Sequence, residues 1–444
     1  VFYHIYPLGL CGAPRHNDFT AEPQPRLAEI HDWIPHLREL GVTALYLGPL
    51  FESTEHGYDT ADYYTVDRRL GDDRTLAELV RALHAAGIRV ILDGVFHHVG
   101  RDFWAFRDLQ ANGEASRFRD WFAGVDFGRR SPYGDAFSYD AWRGHHNLVK
   151  LNLRNPEVRE HLFGAVAKWV GEFGIDGLRL DVAEDIDPDF LRALASFCRG
   201  LAPGFWLLGE AIHGDYRRLA NPETLDSATN YELYKGLYSS HNDRNYFEAA
   251  HSLQRQFGGG GMYAGLSLYN FADNHDVNRV ASTLKEPAHL YPLYTLLFTV
   301  PGVPSIYYGS EWGIAGAKQG GDDAPLRPRL RPSDAARAPH PELAAWIARL
   351  AGIRRDTRAL RHGAYRQLHV ASEQLAFART LQGEMAVVAV NAAEAPADIE
   401  AQVSAPEGGG FVDLLDPERA FTARAGRLHI GAVPGRGARI LVLR

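Results

Sequence analysis

Three apolar runs along this chain each finish in an acid: Gly174 to Asp181, Phe205 to Glu210 and Leu266 to Asp276. Short apolar runs between helical patterns read as buried parallel strands, and in a closed parallel barrel the carboxyl ends of the strands converge on one mouth. Three carboxylates would then share one cleft. Like charges repel, so such a gathering is rarely built for stability; two carboxyls in one cleft commonly divide into an acid and a base or nucleophile. Glycoside cleavage needs that pair most directly, one carboxyl protonating the leaving oxygen while another meets the developing oxocarbenium ion. Taken singly, each acid also fits a plain N-cap for the helix after its strand. Arg179 strengthens the joint pattern. Two residues before Asp181, it shares that strand face, where a fixed cation favours the ionised form a nucleophile needs.

An eightfold barrel would position these acids, and the chain alternates strand-like and helical runs in that order. The strands are placed near 2–7, 43–48, 88–93, 175–181, 205–210, 226–230, 266–271 and 303–308. Helical periods cover 27–40, 76–86, 158–172, 190–199, 246–257 and 341–355. One connection, 99–152, is oversized, lacks a helical period and is rich in aromatics, including Trp104, Trp121, Tyr133, Tyr139 and Trp142. It reads as an inserted domain whose rings pack on one another or stack on sugars. Beyond 361, short alternating runs such as Ala386 to Asn391 and Arg439 to Arg444 read as antiparallel strands. The expected fold is therefore α/β: a (β/α)8 TIM barrel of 1–98 and 153–360, an inserted domain of 99–152, and a C-terminal antiparallel β-sandwich of 361–444.

Composition narrows the partners. With 444 residues, 45% hydrophobic and 23% charged, the chain has the make-up of a soluble globular protein. A net charge of −8 argues against a nucleic-acid partner, and no apolar run reaches transmembrane length, which argues against a membrane one. Cys11 and Cys198 make neither a disulfide framework nor a zinc spacing and read as two core thiols. No signal segment is visible, which gives an expectation of a cytoplasmic protein and leaves open a leader removed before Val1. Oligomeric state is not legible in the sequence.

With these residues on the page, the chain resembles the alpha-amylase superfamily, glycoside hydrolase family thirteen. Asp93-Gly-Val-Phe-His-His98 is similar to the family segment after the third strand, Gly177-Leu-Arg179-Leu-Asp181 to the nucleophile strand, Leu208-Gly-Glu210 to the acid/base strand, and Asn274-His275-Asp276 to the third acid. Gly57-Tyr58-Asp59 resembles the loop whose tyrosine stacks on the sugar at the cleavage point, and Pro301 to Gly309 the eighth strand. The resemblance implies Asp181 as nucleophile, Glu210 as general acid and then base, and Asp276 as the acid that grips sugar hydroxyls. It further implies substrate contacts for Tyr58, Asp93, His98 and His275, with Arg179 orienting Asp181. Asp323 and Arg327, after the eighth strand, read equally as a sugar-binding pair, as in related glucanotransferases, or as a plain surface ion pair.

Two departures from the family matter. His97 stands where many relatives place an Asn that ligates calcium, and imidazole is a poor ligand for that hard cation. Acids at 102, 120, 126 and 140 remain as material for a site elsewhere in the insert. After Asp181 the run Val182-Ala-Glu-Asp185 is closest to the neopullulanase, cyclomaltodextrinase and maltogenic amylase group, whereas Ala211-Ile212-His213 departs from that group's Ile-Trp-His. A His97–His98 metal pair is disfavoured because neighbours on a strand point to opposite faces. The expected activity is retaining hydrolysis of α-1,4-linked maltooligosaccharides or cyclodextrins, with no required cofactor and a doubtful structural calcium. The alternatives are a glucanotransferase or isomerising relative, a non-catalytic carbohydrate-binding protein, and a metal-dependent hydrolase.

Overall fold

The computed structural model describes residues 1–444. Eight short parallel strands form its centre: β1 (Phe2–Ile5), β2 (Ala44–Leu47), β3 (Arg89–Gly94), β4 (Gly177–Leu180), β5 (Trp206–Gly209), β6 (Ser227–Ala228), β7 (Tyr269–Phe271) and β8 (Val303–Tyr307). They pair in chain order, β8 returns to β1, and a parallel bridge between Thr229 and Tyr269 closes the ring. Nearly every strand residue is buried, because the lumen is filled by side chains such as Phe2, Tyr46, Ile91, Leu208 and Phe271 while helices cover the outside. All eight strands lie where the apolar runs predict them.

The register fixes what the barrel mouth can hold. Leu180 on β4 pairs with Gly209 on β5, so the next residues, Asp181 and Glu210, leave adjacent strands at the same level. Asp93 on β3 pairs with Arg179 on β4. This level approach requires Gly177: a Cβ there would sit 2.2 Å from the carbonyl oxygen of Trp206.

Helix starts follow ordinary capping chemistry. Asp72, Asn155 and Asp187 each accept backbone N–H bonds at the starts of Asp73–Ala85, Pro156–Lys168 and Pro188–Leu201. The expected helix over 27–40 is instead a 3-10 segment, Arg26–Trp33, followed by a short α-helix, Ile34–Glu39. Pro35 explains the break, since it has no N–H to return to the preceding turn. The insert is not without helix either. Trp104–Asn112 is helical, with Phe106 packed on the rings of Phe122, Phe137 and Tyr139 and Leu109 buried, and the insert also carries a three-stranded antiparallel sheet of His98–Gly100, Ala141–Trp142 and His145–Lys150.

The C-terminal strands form a six-stranded and a two-stranded antiparallel sheet around their own apolar cluster. A buried arginine joins this unit to the barrel. Arg379, on a C-terminal strand, donates to the carbonyls of Thr299 and Gly363 at 2.6 and 2.8 Å, and the barrel's own Arg354 donates to those of Phe298 and Leu360 at 2.8 and 3.0 Å, satisfying oxygens left free at a helix end. No helix is long and apolar enough to cross a membrane.

Candidate active site

The acids of the first two apolar runs, Asp181 and Glu210, meet at the carboxyl ends of the strands around one guanidinium, which Asp93 of β3 shares. Arg179 Nη1 donates to Asp181 Oδ1 at 2.8 Å and to Asp93 at 3.0 and 3.2 Å, while Nη2 lies 2.9 Å from Glu210 Oε2. All four side chains are less than a tenth exposed. Asp93 is further fixed by the hydroxyls of Tyr46 and Tyr58 at 2.7 and 3.1 Å.

The backbone supplies one donor of its own. Val182, next after Asp181, has φ 41° and ψ 44°, a left-handed conformation costly for a β-branched residue. There its N–H donates to Glu210 Oε2 at 2.9 Å. Strain at one chain position thus links the two strand ends.

Burial pushes the Asp181 carboxyl well above its usual range, and Glu210 and Asp93 add to that against the pull of Arg179. From sequence, Arg179 alone was the reason for an ionised Asp181. The structure divides that cation among three carboxylates, so its pull on any one is diluted.

Asp276 occupies the other side. Its Oδ2 lies 3.0 Å from His275 Nε2 and its Oδ1 accepts from Arg327 Nη2 at 3.0 Å. Partial burial acts to raise this carboxyl, but His275 and Arg327 overcome it and hold the group well below the carboxylate range. Arg327 also donates to Asp323 at 3.0 Å and to the His275 carbonyl at 3.0 Å, and lies over the Tyr6 ring. Asp323 and Arg327 are therefore not a plain surface pair. They are tied to the third acid.

The Tyr58 hydroxyl contacts His275 Nε2 as well as Asp93. His98 Nε2 is buried without a hydrogen-bond partner, 3.8 Å from Asp181 Oδ2, and burial with the neighbouring His97 pushes this imidazole down to about 3. It is a neutral ring beside Asp181. The structure thus brings together Tyr58, Asp93, His98, Arg179, Asp181, Glu210, His275, Asp276, Asp323 and Arg327.

Sequence reasoning missed Tyr6, Tyr46, Arg143 and Glu184. Arg143 and Gly144 form a two-residue turn with φ 45° and 82° at the tip of the insert's hairpin. From that tip Arg143 Nη2 reaches Glu184 Oε1 at 2.8 Å, and Trp142 Nε1 donates to Asp185 at 3.3 Å. The signal was an Arg-Gly pair in a long insert, too common to single out.

The donors near His97 do not fit calcium. Its Nδ1 lies 3.2 Å from His98 Nδ1, and burial pushes it down to about 4, leaving a neutral nitrogen where the ion needs oxygen. Asp102 is bound to Thr54, Asp126 closes a local turn, and Asp120 and Asp140 are exposed. No three His, Cys, Asp or Glu side chains converge to hold a metal ion.

Comparison with known proteins agrees with this geometry. The family "Alpha amylase, catalytic domain" matches residues 15–374. A cyclomaltodextrinase of Geobacillus thermopakistaniensis is 33% identical over 419 residues, covering 92% of this chain and 68% of that protein. Neopullulanase 2 of Thermoactinomyces vulgaris is 34% identical over 443 residues, covering 96% and 71%. Among solved structures, the cyclic alpha-maltosyl-(1→6)-maltose hydrolase of Arthrobacter globiformis superposes with a TM-score of 0.82 at 26% identity, covering 100% of this chain and 98% of that one. The closed barrel, the carboxylates at its mouth and the match over most of the chain agree: this chain belongs to the alpha-amylase family and is a glycosidase.

Proposed function

We propose that this chain is a retaining hydrolase of α-1,4-glucosidic bonds in maltooligosaccharides and cyclodextrins. The observation that carries the reading is the single Arg179 guanidinium shared by Asp181 and Glu210 at the level ends of adjacent strands. The reaction-ready pair carries one proton, placed on Glu210. Asp181 attacks the anomeric carbon while Glu210 gives that proton to the glycosidic oxygen, whose bond to carbon breaks. In the second step Glu210 takes a proton from water, the oxygen attacks the same carbon, and Asp181 leaves as carboxylate. Asp276, held ionised, grips hydroxyls of the sugar at the cleavage point. Tyr58, His98 and His275 line that position, and Asp93 buttresses Arg179.

The steps need no redox or group-transfer cofactor, and the proposed partner is an α-glucan oligosaccharide, with neither nucleic acid nor membrane involved. A cytoplasmic location belongs to the same proposal and is supported by a relative named intracellular maltogenic amylase, of Bacillus subtilis, 33% identical over 307 residues. Incubation of the purified protein with maltotriose, maltoheptaose, β-cyclodextrin and pullulan, with product sizes followed over time, tests the reading. Accumulation of shorter linear sugars is expected. Early products longer than the substrate would instead make the chain a transferase.

A further inference from the structure

The end of β5 is tied to the end of β4 by a side chain that the proposed chemistry leaves unused. Glu184 lies in the 3-10 turn Ala183–Asp185, which follows Asp181 and Val182. Its Oε2 accepts from the backbone N–H groups of Ile212 and His213 at 3.0 and 3.1 Å, the second and third residues after Glu210. Its Oε1 is held at 2.8 Å by Arg143 from the tip of the insert. Two successive amides facing one carboxylate form a small anion-binding concavity, and charge-assisted bonds of this kind are the stronger ones. With the side chain only 19% exposed, they are partly shielded from water.

The nucleophile's segment and the acid's segment are thus joined twice, by Val182 N–H on Glu210 and by Glu184 on residues 212 and 213. The first link acts on the carboxyl and the second on the chain that carries it. The second also depends on the insert, because the Arg143-Gly144 turn delivers the guanidinium. We infer that Glu184 is a positioning residue that sets the Glu210 segment against the Asp181 segment, and that Arg143 seats it there. The inference rests on the roles proposed for Asp181 and Glu210.

Positioning of an acid matters in proportion to the leaving group's need for a proton. Fluoride departs without help from a carboxyl, whereas a sugar hydroxyl does not. Glu184→Ala is expected to lower the single-turnover rate of the first, bond-breaking step on maltoheptaose about 10- to 100-fold, and the rate of the initial fluoride release from α-maltosyl fluoride by less than about 3-fold. Equal losses on the two substrates would mean a merely structural role and overturn the inference. Glu184→Gln keeps an oxygen for the two amides and is expected to restore maltoheptaose turnover to within about 3-fold of the parent; no recovery overturns the acceptor role. Should the alanine variant not fold, Glu184→Asp decides. It withdraws the carboxylate by one methylene, so a selective loss on maltoheptaose supports the inference, and equal loss or none overturns it. Glu210→Gln, run in parallel and read in the first step alone because the second step needs Glu210 as base for either substrate, separates this from the underlying reading: if it slows the first step of both substrates alike the acid role fails, whereas a selective Glu210→Gln beside a non-selective Glu184→Ala sinks the positioning role alone.

Discussion

Removing the guanidinium at the centre of the site should make stability depend on pH in a direction fixed by the carboxylates around it. Arg179→Met keeps a long apolar stem and deletes the charge. The lost contacts are the bonds to Asp181 at 2.8 Å and Asp93 at 3.0 and 3.2 Å, and the ion pair to Glu210 at 2.9 Å. Breaking a buried ion pair by taking one partner costs about 3–5 kcal/mol, and here three carboxylates lose the same partner, so the upper part of that range applies when all are charged. They need not stay charged. Asp181 already sits above its usual range through burial, with Glu210 and Asp93 adding to the rise, and loss of Arg179 raises it further. The variant's native state then binds protons more tightly than its unfolded state, whose Asp titrates near ~3.9. The penalty is therefore full above the raised native value and shrinks as pH falls through it toward the unfolded value. Urea unfolding of parent and variant should show a deficit of about 4–5 kcal/mol at pH 8.5 that falls by about half or more at pH 5. A deficit equal at both pH values, or larger in acid, would refute the electrostatic account and leave only lost packing.

If Asp181 is the nucleophile, its carboxyl should lie about 5–5.5 Å from that of Glu210 in a substrate complex, and proton NMR of the first products should show the α-anomer; initial β-anomer would mean inversion. Arg327→Ala removes one of the groups holding Asp276 low, so kcat/KM should fall about 10- to 100-fold near neutrality and by more at pH 5 than at pH 7.5, as Asp276 gains a proton more easily. A ratio of variant to parent independent of pH would contradict this. Because the donors around His97 do not fit calcium, EDTA should leave both activity and thermal midpoint nearly unchanged, since an ion stabilises only in proportion to its occupancy. A large fall restored by added calcium would overturn that reading.

What the sequence revealed and what it concealed divide along a physical line. Barrel strands were legible because burial on both faces demands continuous apolar runs, and a strand end demands a polar or glycine stop, as in Leu208-Gly209-Glu210. Even β6, reduced to Ser227–Ala228, fell inside its expected span. Helices were legible only where one face meets water. Leu290–Thr299 is buried on nearly every side and so has no period to detect, while Tyr231–Asn242 contacts its neighbours partly through Gly236, Ser239 and Ser240 rather than through an apolar stripe. The insert's helix, Trp104–Asn112, is short, and its aromatics read as loop packing until Phe106 and Leu109 are seen facing one core.

The acids themselves were readable because each sits at a strand end, a local property. How they are held was not, since that depends on partners brought together by the barrel. Asp93, Asp181 and Glu210 converge on Arg179 because the register pairs Asp93 with Arg179 and Leu180 with Gly209; a one-residue slip would turn each of these side chains to the other face. Arg327 shows the same limit: its neighbour Asp323 suggested a local pair, but its third partner, Asp276, lies on another barrel element 51 residues away. Val182 is the sharpest case. Nothing in a valine predicts a left-handed backbone, which here is maintained by the packing of two strand ends and repaid by an N–H aimed at Glu210. Replacing that valine with another β-branched residue therefore preserves composition without relieving the strain, whereas glycine would remove the strain and with it the rigidity that keeps the donor on the acid.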